Sequence, residues 1–407
     1  MVLANDSFCY YCVLFDKNLK PAIAGFRALG KEVIDPLFLP YMGKTIYDIK
    51  QLTAKYYKLL EKSLLSGRTV VTNDFKSILT GFTFDGFGFD SLPREQLNVY
   101  DVFSPVPQIP DTYDEAAAVV HDQLDKLERS RLKIWQKVAA NASVVYESLE
   151  RQGVLVGGLR RYPKWTHRTV SGRSKNTGFN LQGTTAKDDI SDPYGNQSDL
   201  FLNFDWRAAD IRVAALLSGD EHLNEMSLGS DPYQAIADII DQPRKDCKIM
   251  LLRAINSIDI EHPVIQMFPE LKKWMATQKE KLENSQPVRS ILGREFFNAE
   301  RPRSAFNSTM QGSIAQAMQL TIRKVWEEHY RLLAETHDSI TIACNADRNI
   351  FKETVRAVAN IMCKPFAGIL KSNPTFPVRV NIGKSWCQWK PFGLYLDVDK
   401  FQSCRRI

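Results

Sequence analysis

Hydrophobic and polar positions along this chain change period several times. Short apolar runs at Phe8–Phe15, Arg68–Thr72 and Leu97–Phe103 read as β-strands, and Ile46–Leu65 repeats its apolar residues at helical spacing. With turn-forming Gly and Asp across Gly81–Asp90, residues 1–108 predict an α/β unit of their own. Phe103-Ser-Pro-Val-Pro-Gln-Ile-Pro-Asp111 then carries three prolines, which cannot continue a helix or a central strand, so a domain boundary is expected there. From Asp114 to Gln152, Val120, Leu124, Leu127, Ile134, Val138, Val145 and Leu149 recur at three- and four-residue steps among charges, the pattern of an amphipathic helix or helical hairpin. Gly153–Gly183 is rich in Gly, Ser, Thr and Arg, which suits a loop or short strands lying against something anionic. Neither an internal repeat nor a low-complexity tract interrupts the pattern.

Composition narrows the class. A chain of 407 residues with 44% hydrophobic and 25% charged content is long enough for two or three packed domains, and a disordered, collagen-like or disulfide-stapled protein is excluded. The longest apolar runs, such as Ile249–Leu252, fall far short of the ~20 residues that span a bilayer, and the start lacks a basic segment followed by an apolar core. A soluble intracellular protein with no membrane partner is expected. Seven cysteines scattered from Cys9 to Cys404 do not make a disulfide framework and fit a reducing compartment. Cys9 and Cys12 lie in a strand, with no second Cys/His pair at zinc-ligand spacing, so they read as core packing. The net charge of +6 permits a polyanionic partner without requiring one.

Four constellations carry chemistry. In Leu200–Gly219 an apolar strand ends at Asp205 and a helix follows, with Ile211, Ala214, Ala215 and Leu217 on its buried side. Asp205 suits either an oxygen ligand for a divalent cation or a helix cap. In Arg331–Cys344 apolar runs flank His337-Asp338-Ser339, the tight turn of a hairpin. Asp338 there is either a turn residue or the partner of Asp205 across a sheet in a two-metal site. Pro243 suits the first position of a helix, and Arg244, Lys248 and Leu252 then fall at i, i+4 and i+8 on one face, either a solvated basic face or a cradle for a triphosphate with support for its base. Arg303, Asn307 and Gln311 repeat that spacing ahead of Gly312 and a helix to Trp326; such side chains reach minor-groove acceptors that all base pairs share.

In this order the residues resemble the family A DNA polymerases. Asp205-Trp-Arg-Ala-Ala-Asp-Ile-Arg212 is similar to motif A, Arg244-x3-Lys248 to motif B, and Thr336-His-Asp-Ser339 to motif C. Ser171–Gln182, Asp231-Pro-Tyr233, Arg303-x3-Asn307-x3-Gln311-Gly312 and Val378–Trp386 match in sequence order, and the resemblance covers roughly 165–390. It implies a right-hand polymerase: a small α/β ribonuclease H-like domain over 1–108, a short helical thumb over 109–158, and an α+β palm with antiparallel sheet and helical fingers over 159–407, the fingers about 221–285. It implies two Mg2+ ions, with Mn2+ as a substitute, held by Asp205, Asp338 and the backbone carbonyl of Trp206, and template-directed extension of a primer 3′-hydroxyl. The dNTP would be bound by Arg244, Lys248, Leu252, Asp210 and Tyr233, with Asp210 under the sugar as the gate against a 2′-hydroxyl. Primer-template DNA would be lined by Arg173, Asn180, Gln182, Arg303, Asn307, Gln311 and His337. Replication or repair DNA, replication accessory proteins, and the cytoplasm of a bacterium or phage-infected host follow as the expected setting, a phage, plasmid or mobile element being the expected source.

Several residues depart from the family pattern. Leu252 stands where an aromatic is usual, Asn256-Ser257 where Tyr-Gly is usual, and Asp210 and Ser339 where Glu is usual. A polymerase with relaxed sugar selectivity or RNA synthesis, and an inactive primer-template-binding accessory, are the alternatives these raise. Val70–Lys76 and Val99–Phe103 resemble two strands of the family's 3′–5′ exonuclease domain, whose first strand needs an Asp-x-Glu. Phe8–Phe15 has no carboxylate, so a domain without proofreading is expected.

Overall fold

The computed structural model describes residues 133–403 except 186, 196–199, 299, 385, 387 and 398–399, and before 133 only 9–15, 21–28, 34–38, 70–72, 99–101, 76 and 79. The expected helix over Ile46–Leu65, the turns of Gly81–Asp90, the proline-rich Phe103–Asp111, Asp74 and the helical pattern before 133 lie outside the described residues. The chain divides into two compact units, Met1–Glu147 and Ser148–Ile407. The division falls within helix α1 (Ile134–Gln152), downstream of the proline-rich segment.

In the first unit β1 (Cys9–Phe15), β2 (Pro21–Ala28) and β3 (Ile34–Phe38) form an antiparallel meander in that order. The apolar run of β1 is plain in the sequence; β2, with Pro21 and Gly25, and β3, with Asp35-Pro36, are not, because those residues are poor strand formers. β4 (Val70–Thr72) and β5 (Val99–Asp101) pair in parallel, Val70 opposite Val99 and Thr72 opposite Asp101. α1 buries Val138, Val145 and Leu149 as its periodicity predicts, but Ile134, also expected on that face, is exposed at the first position of the helix. It ends where Gly153, at φ +64°, donates its N–H to Leu149 O at 3.0 Å.

The second unit opens with short strands: β6 (Val154–Val156), β7 (Leu159–Arg161), β8 (Lys164–Thr166), β9 (Lys175–Thr177) and β10 (Ile190–Ser191). Its main sheet is antiparallel throughout. The order is β14 (Arg331–Thr336), β15 (Ser339–Cys344), β11 (Leu200–Trp206), β16 (Val378–Gly383), β17 (Lys390–Asp397), β18 (Lys400–Ser403). Period-two alternation sorts the two faces. Leu202, Phe204, Trp206, Ile340, Ile342, Val378 and Val380 are buried on one, where Trp206 Nε1 donates to Met362 O (2.9 Å) of α9 (Arg348–Cys363). Asn203, Asp205, Ser339, Thr341, Arg379 and Asn381 share the other.

Between β11 and β14 the chain inserts α2 (Ala209–Ser218), α3 (Glu221–Leu228), α4 (Pro232–Ile240), α5 (Arg244–Ser257), α6 (Pro263–Gln266) and α7 (Pro269–Glu283). A two-stranded ribbon, β12 (Val288–Arg289) with β13 (Glu295–Phe296), precedes the long α8 (Pro302–Glu327). An antiparallel sheet with a helical block inserted after its central strand is the palm-and-fingers arrangement expected from the sequence. One carboxylate organises that block: Asp220 accepts from Leu223 N (2.9 Å) at the start of α3 and from Glu270 N and Leu271 N (3.1 and 3.2 Å) at the start of α7. Three details correct the sequence reading. Asp205 does not cap the following helix, whose N-cap is Ala208 at φ +51°. Leu217 is half-buried, not core, because α2 turns it away from the packed side. Pro243 is the N-cap of α5, so Arg244 takes the first helical position.

Candidate active site

The central strand and the hairpin bring two acids together. Asp205 lies opposite Ser339 on β15, and the next residue, Trp206, donates its N–H to Asp338 O at 3.0 Å. Asp338 sits in a tight turn: its N–H donates to Thr336 O (2.7 Å) around His337, whose φ of +62° is strained for a side chain with Cβ. Burial, and then the charge of Asp338, raise the Asp205 carboxyl to about 6, against the pull of Arg379, Arg207 and Lys248. Burial and Asp210 likewise raise Asp338, against Arg173 and Lys248. Asp210, in the first turn of α2, is raised by burial and opposed by Arg173 and Lys248. Burial and Arg173 lower His337. These mutual influences make Asp205, Asp210, Asp338, Lys248, Arg173 and His337 one electrostatic cluster. Its donors are hard oxygens, the ligand type Mg2+ prefers, and a divalent cation would relieve the repulsion between them. Among the described residues no group of three or more His, Cys, Asp or Glu side chains is placed to hold a metal ion.

Helix α5 faces this cluster with its basic side. Arg244 and Lys248 are exposed and Leu252 half-buried, while Cys247, Leu251, Ala254 and Ile255 are the buried residues of the helix. Tyr233, buried on α4, lies beneath both cations, 5.7 Å from the Arg244 guanidinium and 5.3 Å from Lys248 Nζ. Burial, then Asp210, raise its phenol. Arg244 donates from Nε to Asp231 Oδ2 at 2.7 Å, and Arg207 Nη2 reaches the same oxygen at 3.0 Å. Asp231, the N-cap of α4, therefore ties α5 to the segment just past Asp205. Burial works against its charge, yet Arg244, the Gln234 N–H and Arg207 hold the carboxyl below its usual value. Arg207 and Arg379 were not singled out from the sequence. Arg379 lies opposite Asp205 in the register of β11 with β16, a pairing between distant segments that no local pattern announces.

The loop Thr169–Arg173 presents Arg173. Arg294 Nη2 donates to Val170 O (3.0 Å) and Thr169 O (3.3 Å), and Gln319 Nε2 to Gly172 O (3.1 Å). Arg173 Nε is buried with no hydrogen-bond partner among the described residues, a donor left for a ligand or water. Ser339, where the family has Glu, shares hydrogen bonds with Thr336 Oγ1 (2.9 Å) and Asn203 Nδ2 (3.4 Å), and Asn203 Oδ1 accepts from Asn381 Nδ2 (3.1 Å). Gln182 is used internally: its side-chain Oε1 accepts from Asn176 N (3.1 Å) and its Nε2 donates to Ser174 Oγ (2.8 Å), while its backbone N–H donates to Asn176 Oδ1 (3.2 Å). Asn180 is exposed before the single 3-10 turn Leu181–Gly183 and makes no capping bond. Arg303, Asn307 and Gln311 line a cavity of about 1090 Å³ shared with Thr169–Ser171 and Ser257–Asp259, and Asn307 Oδ1 is a buried acceptor without a partner among the described residues.

The chain is similar to known proteins in sequence and in fold. The chain is 23% identical over 269 residues, 54% of its length, to the thermostable DNA polymerase I of Thermus aquaticus, and covers 32% of that protein. It is 23% identical over 228 residues to DNA polymerase theta of Caenorhabditis elegans, covering 14% of it. It thus spans about a third or less of these relatives. No family model matches. In fold it superposes on the POL domain of Pol1 from M. smegmatis in complex with DNA primer-template and dNTP, with TM-score 0.64 and 13% identity over 94% of this chain and 96% of that one. In sequence and in fold the chain is DNA polymerase I-like.

Proposed function

We propose that this chain is a template-directed DNA polymerase that extends a primer 3′-hydroxyl with dNTPs, without proofreading. The observation that carries the reading is the convergence of Asp205 and Asp338 under the basic face of α5, with Lys248 acting on both carboxyls and on Asp210. Asp205, Asp338 and the Trp206 carbonyl would hold two Mg2+ ions. Bound there, the ions supply the lowered pKa of the primer hydroxyl and the charge neutralisation that in-line displacement at phosphorus requires. Lys248 and the free N–H groups of Arg244 would bind the triphosphate, Arg244 being already oriented by Asp231. Leu252 would support the base, and Tyr233 would fix the two cations from below. Arg173, with its unpartnered Nε, and His337 would contact the primer-template next to the acids. Arg303, Asn307 and Gln311 would follow the minor groove, Gln182 holding the Ser174–Gln182 loop in shape while Asn180 faces the DNA.

Purified protein with a primed template, dNTPs and Mg2+ is expected to extend the primer, and Asp205→Ala or Asp338→Ala to abolish extension by at least about 10³-fold. Failure of the wild type under conditions where a known polymerase extends would overturn the reading. Asp210 carries a second reading, relaxed sugar selectivity: its side chain is one methylene shorter than the usual Glu, leaving room beneath the sugar. Parallel incorporation of dNTP and rNTP decides it, equal strong rejection of rNTP removing it. Among the described residues no helix is long and apolar enough to cross a membrane.

A further inference from the structure

The Arg-rich stretch before the motifs finds a place that the catalytic cluster does not use. β6 and β7 make a hairpin closed by Gly157 and Gly158, both at positive φ (+54° and +78°), the two-residue turn that suits a twisted ribbon. A side chain at either glycine would meet no described residue within 4 Å. Every residue of β7 is exposed, and apolar and aromatic groups stand out beside the cations: Leu159 is 63% exposed, Tyr162 51% and Tyr194 60%. The Arg160 guanidinium lies over the Tyr194 ring, 4.8 Å from its centroid, a cation–π contact that pairs the charge with an aromatic face rather than with a carboxylate. No ion pair joins Arg160 or Arg161 to a carboxylate among the described residues, whereas nearby Lys164 is matched by Glu150 at 3.5 Å and Arg331 by Asp192 at 2.6 Å. Two uncompensated guanidinium groups with exposed tyrosines fit a phosphate backbone flanked by sugars better than they fit solvent.

The hairpin also lies at a defined distance from the chemistry. β10 pairs with β6, and Arg331, bound to Asp192 just after β10, begins β14, whose other end is the His337–Asp338 turn. Six strand residues at ~3.3 Å each separate the two ends by about 20 Å, the rise of about six base pairs at ~3.4 Å. We propose that Arg160, Arg161, Tyr162 and Tyr194 bind the sugar-phosphate backbone of the newly made duplex about six base pairs behind the primer terminus. This rests on the polymerase reading and adds to it a contact that holds product.

Binding measured without turnover tests it, using primer-template hairpins with stems of about 4 and about 12 base pairs, titrated over salt. The wild type binds the longer stem more tightly and with a steeper salt dependence. Arg160→Ala/Arg161→Ala lowers the salt slope on the longer stem by about two and weakens binding on the order of tenfold, leaves the shorter stem unchanged, and leaves single-nucleotide insertion at saturating DNA unchanged. Tyr194→Ala gives a smaller loss of the same kind. Equal losses on both stems, no loss on either, or no length dependence in the wild type overturns the proposal. Length-dependent binding by a wild type that inserts no nucleotide would instead sink the polymerase reading and leave the duplex contact standing.

Discussion

Asp205 is held where a carboxylate is least comfortable. Its folded pKa of about 6 lies above the ordinary 3.8, so the folded state binds the proton more tightly and the stability of the metal-free protein falls as pH rises between those values. Asp205→Asn keeps the shape and removes the charge. The metal-free variant is expected to be about 1–2 kcal/mol more stable than the wild type near neutral pH, while losing activity, the trade expected where a site is built from repelling groups. The gain should shrink once the wild-type carboxyl is itself protonated in acid; denaturant titrations at two pH values read it, and an unchanged or lowered midpoint for the variant at neutral pH contradicts it. Asp231 has the opposite sign. Its pKa is depressed by Arg244 and Arg207, so its contribution is present above the unfolded carboxyl value and is lost as pH falls through the folded one. Asp231→Asn retains a capping oxygen and loses the ion pairs, so a difference of about 0.5–1 kcal/mol should be seen at neutral pH and vanish in strong acid. A difference that persists there would assign the effect to capping alone.

At the scale of elements, α8 matters through one missing side chain. A glycine inside a 26-residue helix ordinarily costs about 1 kcal/mol relative to alanine, so Gly312→Ala would stabilise an isolated helix. Here a Cβ would stand 2.7 Å from Phe296 Cζ and 3.1 Å from Ser171 O, so β13 and the loop carrying Arg173 would have to move. The variant should lose about 1–3 kcal/mol and, by displacing Arg173, roughly tenfold in kcat/KM on primer-template, with helical content unchanged. A more stable variant of full activity would mean that the loop does not depend on this contact. The elements themselves were legible to different degrees. β11, the β14–β15 hairpin, α5 and α8 stand out because period and turn chemistry are local, and so Asp205, Asp338, Arg244 and Lys248 could be singled out from spacing. β2, β3 and the strands from β6 to β10 could not, being short or interrupted by Pro and Gly and defined only by their partners. Arg379 beside Asp205, Asp220 serving two helices and Arg294 fixing the Thr169–Gly172 carbonyls are likewise products of register and packing.

At the scale of the whole molecule, the first unit and the second place different demands on acidic residues. The second concentrates Asp205, Asp210 and Asp338 where β11, α2 and the hairpin turn converge, whereas the first has a meander whose leading strand, Cys9–Phe15, carries no acid, and a parallel pair ending in Asp101. A two-metal exonuclease needs carboxylates from more than one strand around an open site. Asp101 is only 1% exposed, which suits an internal anchor better than a ligand open to a primer end. A labelled primer with a mismatched 3′ end, incubated with Mg2+ and no dNTP, should therefore stay full length under conditions in which added dNTPs are incorporated. Asp101→Ala should act through stability, lowering the unfolding free energy of the first unit by about 1–3 kcal/mol as buried partners lose their acceptor, and should leave primer length unaffected. Shortening of the primer by the wild type that disappears in Asp101→Ala or Asp74→Ala would give the first unit a catalytic role and make the missing acid of the leading strand irrelevant.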